Sequence, residues 1–285
     1  MYKKILVAFD GSEFSKAALA EASNWTRRHG GELILVHAVY FDEEEFGIAP
    51  EQLEKRMEFG KKVCYQEKEK VLSEFGIKVE SLVCQGEPQD VITDIAREKG
   101  VDLIATGTYG RRGLKRLLMG SVTSGVVVNA PCDVMVVGKP CSECIGKYSS
   151  ILVPYDGSGF SKKALERACL LSKADGAEVT VLYVIPRYEE MVGFFRTGSM
   201  KESMSKEARK ILDEAKNIAV SQGVAIGMTT QEGHAADKIA ETAQALGSDL
   251  VVMGSYGWRG VDKAILGSTA ERVIMNAACP VLVVR

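Results

Sequence analysis

The chain has 285 residues, 46% hydrophobic and 26% charged, with 36 Lys and Arg against 38 Asp and Glu for a formal net charge of −2. That balance excludes a disordered polymer and lacks the basic excess of a dedicated nucleic-acid binder, so no nucleic-acid partner is expected. The length suits two domains better than one. No apolar run approaches the ~18–20 residues that span a bilayer, and Met1-Tyr-Lys-Lys does not open a signal peptide, so the expected location is the cytoplasm with no membrane partner.

In chain order, Ile5–Phe9 is a short continuous apolar run, as expected of a strand buried on both faces. Asp10-Gly11-Ser12 follows, and Ser12 or Ser15 is placed to cap a helix ending near Gly30-Gly31. Leu33–Val39 reads as the second strand and Glu51–Phe75 as a long amphipathic helix broken at Gly76. Val79–Val83 reads as the third strand. Pro88–Lys99 reads as a helix with proline in its first turn, where the missing N–H costs nothing. Leu103–Thr106 is the fourth predicted strand, Ser121–Asn129 a short helix and Val134–Val137 the fifth strand.

The pattern then starts again. Residues 2–19 and 148–165 share twelve of eighteen positions, and residues 107–132 and 254–279 share eleven of twenty-six. A repeat this long is a duplicated domain rather than a solenoid unit. The predicted domains are 1–139 and 148–285, joined by a linker at 140–147. In the second copy the strands fall at Ile151–Tyr155, Val179–Ile185, Val224–Thr230, Leu250–Met253 and Val281–Val284. Strands alternating with helices make βαβ units, and right-handed crossovers give two tandem open parallel five-stranded sheets with helices on both faces, an α/β class. Ligands of such sheets bind beyond the carboxyl ends of the strands.

Asp10 and Asp156 close the first strand of each copy. A carboxylate there accepts hydrogen bonds from a ribose hydroxyl or an adenine amino group, or serves only as a turn aspartate. After the fourth strand stand Gly107-Thr-Tyr-Gly110, nine residues, then Gly120-Ser121; the second copy has Gly254-Ser-Tyr-Gly257, nine residues, then Gly267-Ser268. Glycine lets a ligand approach the main chain closely. A helix opening at Gly120-Ser121 turns its free N–H groups and the positive end of its dipole outward, which suits an anion. Ser121 and Ser268 are placed to cap that helix and to offer a hydroxyl to a phosphate.

Gly-x-x-Gly, nine residues, then Gly-Ser resembles the nucleotide signature of ATP-binding universal stress proteins. The strand-Asp-Gly-Ser opening and the closing Asn129-Ala-Pro-Cys-Asp and Asn276-Ala-Ala-Cys-Pro segments are similar to that family too. The resemblance covers nearly the whole chain outside the linker. It implies an adenine nucleotide alpha hydrolase-like, Rossmann-like fold that binds ATP or AMP, with Mg accompanying ATP. It places Ala8, Phe9, Pro154 and Tyr155 along the adenine pocket, Asp10 and Asp156 near adenine and ribose, and the backbone of Ala38 and Val184 at the adenine edge. Gly107, Gly110, Gly254 and Gly257 would lie along ribose and phosphates, and Gly120, Ser121, Val122, Gly267, Ser268 and Thr269 would cradle the phosphates. Arg112 and Arg259 align and either reach a phosphate or stay solvated. The family pairs fifth strands across a dimer, so the two copies are expected to form an intramolecular pseudo-dimer, with a further homodimer left open. Tyr109 and Tyr256 depart from the family, which often has histidine there.

Other signals carry less. Cys141-x-x-Cys144 sits in the linker without a second pair to complete a zinc site. Cys64, Cys84, Cys132, Cys169 and Cys279 read as buried thiols. His29, His37 and His234 have no partner at ligand or triad spacing. Met204-Ser-Lys206 falls in a predicted helix, and there is no Walker A motif or nucleophile elbow. The function expected is a nucleotide-binding stress-response or regulatory protein without dedicated catalysis. The alternatives are a slow Mg-dependent ATPase and an interaction scaffold with vestigial pockets.

Overall fold

Ile5, Leu6 and Val7 are each at most 1% exposed, so the opening strand is covered on both faces and sits mid-sheet. The computed structural model describes residues 1–40, 50–110, 119–138, 146–186, 198–256 and 266–285. The chain divides into two compact units, Met1–Lys147 and Tyr148–Arg285.

The first unit runs β1 (Lys4–Ala8), α1 (Glu13–His29), β2 (Glu32–Val39), α2 (Pro50–Phe75), β3 (Val79–Gln85), α3 (Pro88–Lys99), β4 (Leu103–Gly107), α4 (Ser121–Asn129) and β5 (Asp133–Val137). Its strands lie in the order β3-β2-β1-β4-β5, every pair parallel. The second unit runs β6 (Ser150–Pro154), α5 (Gly159–Asp175), β7 (Glu178–Ile185), α6 (Gly198–Ser221), β8 (Ile226–Glu232), α7 (Ala235–Ala245), β9 (Leu250–Gly254), α8 (Ser268–Asn276) and β10 (Val281–Val284). Its order is β8-β7-β6-β9-β10, again parallel throughout. Helix α1 packs on α2, and α3 packs on α4; α5 pairs with α6 and α7 with α8 in the same way. The two predicted parallel sheets with helices on both faces are therefore present, one in each unit.

This strand order places the site. From β1 the chain winds outward to β2 and β3, then returns to lay β4 on the other side of β1. The crevice beyond β1 and β4 is the point where winding reverses, the usual ligand position in such sheets. The second unit has its reversal between β6 and β9.

Three local details differ from the sequence expectation or refine it. Strand β8 starts at Ile226 rather than Val224. Gly223 takes φ +69 after α6, and the Val224 N–H turns back to the Ala219 carbonyl at 2.9 Å. Val224 thus closes a helix end and is buried there before the strand begins. Pro154 stands in β6 where β1 has Ala8, and the β6–β9 register holds two residue pairs against three for β1–β4. Proline donates no ladder bond, which shortens that seam. Gly146 takes φ +67, and a Cβ there would lie 2.2 Å from the Asn24 carbonyl oxygen, so this end of the predicted linker is pressed against α1 with no space for a side chain.

Candidate functional site

Each crevice is built from three pieces: the turn after the first strand, the turn after the fourth, and the start of the short helix after it. In the first unit the Asp10 Oδ1 atom accepts the Ser12 N–H at 2.9 Å, and in the second Asp156 Oδ1 accepts from Ser158 at 3.0 Å. One oxygen of each aspartate is thus the turn acceptor. The other oxygen of Asp10 faces the glycine loop: a Cβ on Gly110 would stand 2.9 Å from Oδ2. Ser12 is the cap of α1, its Oγ accepting from the Ser15 N–H at 3.2 Å, and Ser158 caps α5 in the same way at 3.3 Å.

The glycines divide by role. A Cβ on Gly107 would come within 2.6 Å of Phe14 Cβ and 2.7 Å of the Phe14 carbonyl carbon; at Gly254 the same approach is made to Phe160. These two glycines are required by the first turn of α1 and α5 crossing the strand end, so their missing side chains leave room for a helix rather than for a ligand. Gly110 is exposed and open toward Asp10. Gly120 and Gly267 are themselves the N-cap residues of α4 and α8, and neither helix has a side-chain cap. The expectation that Ser121 and Ser268 cap these helices is therefore corrected. They stand one position inside, where the hydroxyl is badly placed for the first-turn N–H groups. Val122 and Thr269 follow in the same uncapped turns. Thr123 also turns away, its Oγ1 donating to the Gly107 carbonyl at 2.7 Å.

The side of the crevice toward β2 and β7 is more closed. The Phe9 N–H donates to the Val36 carbonyl at 2.8 Å, and its carbonyl accepts the His37 Nδ1–H at 2.7 Å. Tyr155 N–H donates to Leu182 at 2.9 Å. These donors are committed to the fold, so Phe9 and Tyr155 offer mainly buried side chains. Ala8 is buried and Pro154 half-buried at the ends of β1 and β6, while Ala38 and Val184 are half-buried on β2 and β7. Arg112, Gly257 and Arg259 lie outside the described residues, as do Cys141 and Cys144.

Sequence reading missed the aromatic brace. Tyr109 meets Phe14 edge-on with ring centroids 5.3 Å apart, and Tyr256 meets Phe160 at 5.4 Å. The tyrosines that depart from the family pattern are thus tied to α1 and α5. The signal was available: Phe-Ser-Lys recurs at 14–16 and 160–162, opposite Gly-x-Tyr in both copies.

The sequence profile of the Universal stress protein family matches residues 1–138 and again residues 147–285. The chain belongs to the universal stress protein family. It carries the domain twice in tandem. A universal stress protein of Methanocaldococcus jannaschii is 40% identical over 141 residues, 48% of this chain and 82% of that relative. One of Bacillus subtilis is 37% identical over 147 residues, 48% of this chain and 99% of the relative. Each relative thus corresponds to one copy. A solved universal stress protein from Archaeoglobus fulgidus superposes with a TM-score of 0.76 at 22% identity, covering 99% of this chain and 97% of that one, which shows the shared fold.

The two universal stress protein domains differ electrostatically beside the crevice. In the second, the Tyr155 hydroxyl donates to Glu214 Oε2 at 3.3 Å, and Lys162 Nζ lies 2.6 Å from Glu214 Oε1. Burial, then the Glu214 charge, pushes the Tyr155 hydroxyl well above its usual range, so it remains a donor. The Lys162 hydrogen bond holds the Glu214 carboxyl below the usual carboxylate range. A depressed folded pKa gives stability that is present above the unfolded value of ~4.3 and lost as pH falls through the lowered one. Glu214 is largely solvated, so the contribution is on the order of 0–1 kcal/mol. Melting temperatures of wild type and Glu214→Gln are expected to differ slightly at pH 7 and to converge below about pH 4.

Elsewhere the chemistry is sparse. A groove of about 510 Å³ lined by Arg27, Phe75, Lys78 and Glu80 lies at the amino end of β2 and β3, away from the crevice. Among the described residues no cluster of His, Cys, Asp and Glu is placed to hold a metal, and no helix is long and apolar enough to cross a membrane. Cys64 and Cys169 are buried as expected, but Cys84, Cys132 and Cys279 are only half-buried. Burial pushes the Cys64 thiol up to about 11 and the Cys279 thiol up to about 12, which keeps both protonated.

Proposed function

We propose that each copy binds one adenine nucleotide, ATP or AMP, in the crevice beyond its first and fourth strands, and that the protein acts as a regulatory or stress-response nucleotide binder. The observation that carries this reading is the uncapped start of α4 and α8. Both helices open on a glycine that brings no capping side chain, and both stand at the point where strand winding reverses. First-turn N–H groups with no capping side chain, backed by the helix dipole, are a donor set for a phosphate.

In this reading Asp10 and Asp156 take the ribose or the adenine amino group. Gly110 and Gly257 let the ligand run close to the main chain. Gly120-Ser121-Val122 and Gly267-Ser268-Thr269 receive the phosphates, and Arg112 and Arg259, outside the described residues, either add a phosphate contact or stay solvated. Gly107 and Gly254 contribute backbone only. A Mg ion would arrive on the phosphates of ATP. The domain limits at 139 and 148, a cytoplasmic setting and the pairing of the two copies as a pseudo-dimer belong to the same proposal.

Calorimetric titration of the full chain with ATP and AMP at millimolar ligand tests it. Saturation at two nucleotides per chain is expected. Ligand at a hundredfold over Kd stabilises the folded state by about 2.7 kcal/mol, a rise in melting temperature on the order of 5–10 °C. No heat and no thermal shift with either nucleotide would remove the proposal.

A further inference from the structure

The position after the first loop glycine is Thr108 in one copy and Ser255 in the other, and both residues are 1% exposed. Among the described residues neither Thr108 Oγ1 nor Ser255 Oγ has a hydrogen-bond partner. Four other hydroxyls around this end of the first unit are engaged. Ser12 and Ser15 serve the cap of α1, while Thr106 Oγ1 and Thr123 Oγ1 both donate to the Gly107 carbonyl. A buried hydroxyl without a partner carries its full desolvation penalty, and such groups are few in native folds. Here the same vacancy in bonding occurs twice, at equivalent positions, in copies that differ in residue type there but keep the hydroxyl.

The backbone fixes where these hydroxyls stand. Thr108 N–H donates to the Val137 carbonyl at 3.2 Å and Ser255 N–H to Val284 at 3.3 Å, carrying each ladder one residue past its strand. Strand alternation continues across that bond. Gly107 faces Phe14 of α1, so Thr108 faces the opposite layer, the one that holds α4. Gly120, the residue that opens α4, donates its N–H to the Thr108 carbonyl at 3.1 Å. The backbone of Thr108 therefore meets the uncapped helix start, in the layer that its side chain faces.

We infer that Thr108 and Ser255 are specificity-determining residues: each hydroxyl donates a hydrogen bond to a phosphate oxygen of the ligand held at the start of α4 or α8. This rests on the nucleotide reading above and adds to it a side chain that distinguishes a phosphorylated ligand from a bare nucleoside. Since both hydroxyls are sealed from solvent, seating the phosphate includes a shift of the adjoining turn, Tyr109-Gly110 or its counterpart at Tyr256.

The test compares wild type with the full-length Thr108→Val, Ser255→Ala double variant, and with Thr108→Ser as a control that keeps the hydroxyl. ATP and adenosine are titrated by calorimetry, and melting temperature is followed without ligand. Removing an unpartnered hydroxyl leaves the ligand-free melting temperature equal or higher, while the Kd for ATP rises about tenfold and that for adenosine stays within twofold. Thr108→Ser keeps wild-type affinity. An unchanged ATP Kd in the double variant overturns the inference, because the hydroxyls then serve only a buried water or nothing. An equal loss for ATP and adenosine also overturns it, because the hydroxyl is then not reading phosphate. If valine at 108 unfolds the first unit, Ser255→Ala alone decides by the same ratio. Wild type that binds no ATP at all instead removes the proposed function on which the inference rests.

Discussion

Gly107→Ala is expected to lower the melting temperature of the first unit by on the order of 10 °C, although the substitution adds a single methyl group. The added carbon would stand 2.6 Å from Phe14 Cβ, 2.7 Å from the Phe14 carbonyl carbon and 2.9 Å from the Ser15 nitrogen. Two of those three atoms are backbone in the capped first turn of α1, so no rotamer change relieves the contact. Relief requires α1 to slide off β4, which loosens the Tyr109–Phe14 brace as well. Overpacking of a well-filled core costs about 1–3 kcal/mol, with larger values where backbone must move, and each kcal/mol is worth several degrees in a domain of this size. Gly254→Ala is expected to do the same to the second unit through Phe160. Gly159→Ala is the matching control: nothing lies within 4 Å of its added carbon, and replacing a helical glycine stabilises by up to ~1 kcal/mol. Scanning calorimetry of the three variants reads both signs. A Gly107→Ala protein as stable as wild type would mean that α1 does not press on the strand end as described.

Gly120→Asp is expected to abolish binding at the first site while leaving the fold intact. Gly120 has φ −58 and ψ 138, backbone angles that aspartate adopts freely. Aspartate is a preferred N-cap, and the gain over glycine is a few tenths of a kcal/mol. The added Cβ would be 3.2 Å from the Thr108 carbonyl, a tight contact that offsets that gain, so melting temperature should change little. The new carboxylate would occupy the same N–H groups that the proposal assigns to phosphate. Two like charges ~5 Å apart at an effective dielectric of ~20 repel by ~3 kcal/mol, roughly a hundredfold in affinity. Calorimetry should therefore show ATP saturating at one per chain instead of two, with the Gly120→Asp, Gly267→Asp double variant silent. Gly120→Asn, which caps without charge, should lose less. Full ATP binding by the double aspartate variant would show that phosphate does not sit on α4 and α8.

Much of this arrangement was readable in the residues. Runs such as Ile5–Phe9 and Val134–Val137 are too short and too uniformly apolar for anything but buried parallel strands, and the duplication confirmed each element by a second instance. The paired Asp-Gly-Ser and glycine-loop segments then fixed what stands at the crevice, because the topology of a parallel sheet leaves few places for them. The errors came where two physical causes share one residue type. For glycine at 107 the sequence does not show that Phe14 fills its Cβ direction, because nothing local reveals that α1 crosses it. Serine at 121 looks like a cap and is one residue too late, since Gly120 already has the cap conformation. Val224 looks like the first residue of a strand, because burial at a helix end and burial in a sheet leave the same apolar mark. The half-buried state of Cys84, Cys132 and Cys279 has the same origin: a small sulfur-bearing side chain is compatible with either depth.

The Tyr155–Glu214–Lys162 cluster shows what duplication within a single polypeptide permits. Nine residues before the glycine that ends each long helix, both copies hold glutamate, Glu67 and Glu214. Where the strand end is Phe9 there is no phenol to meet, and Glu67 turns to Lys70 along its own helix; where it is Tyr155 the glutamate fastens three elements together. One half of the molecule thus carries a phenol–carboxylate–ammonium contact between its crevice strand and the helices beside it, where the other half has a contact within one helix. The halves share a fold and a concentration but not this contact, so substitutions at Glu67 and Glu214 should act on different neighbours.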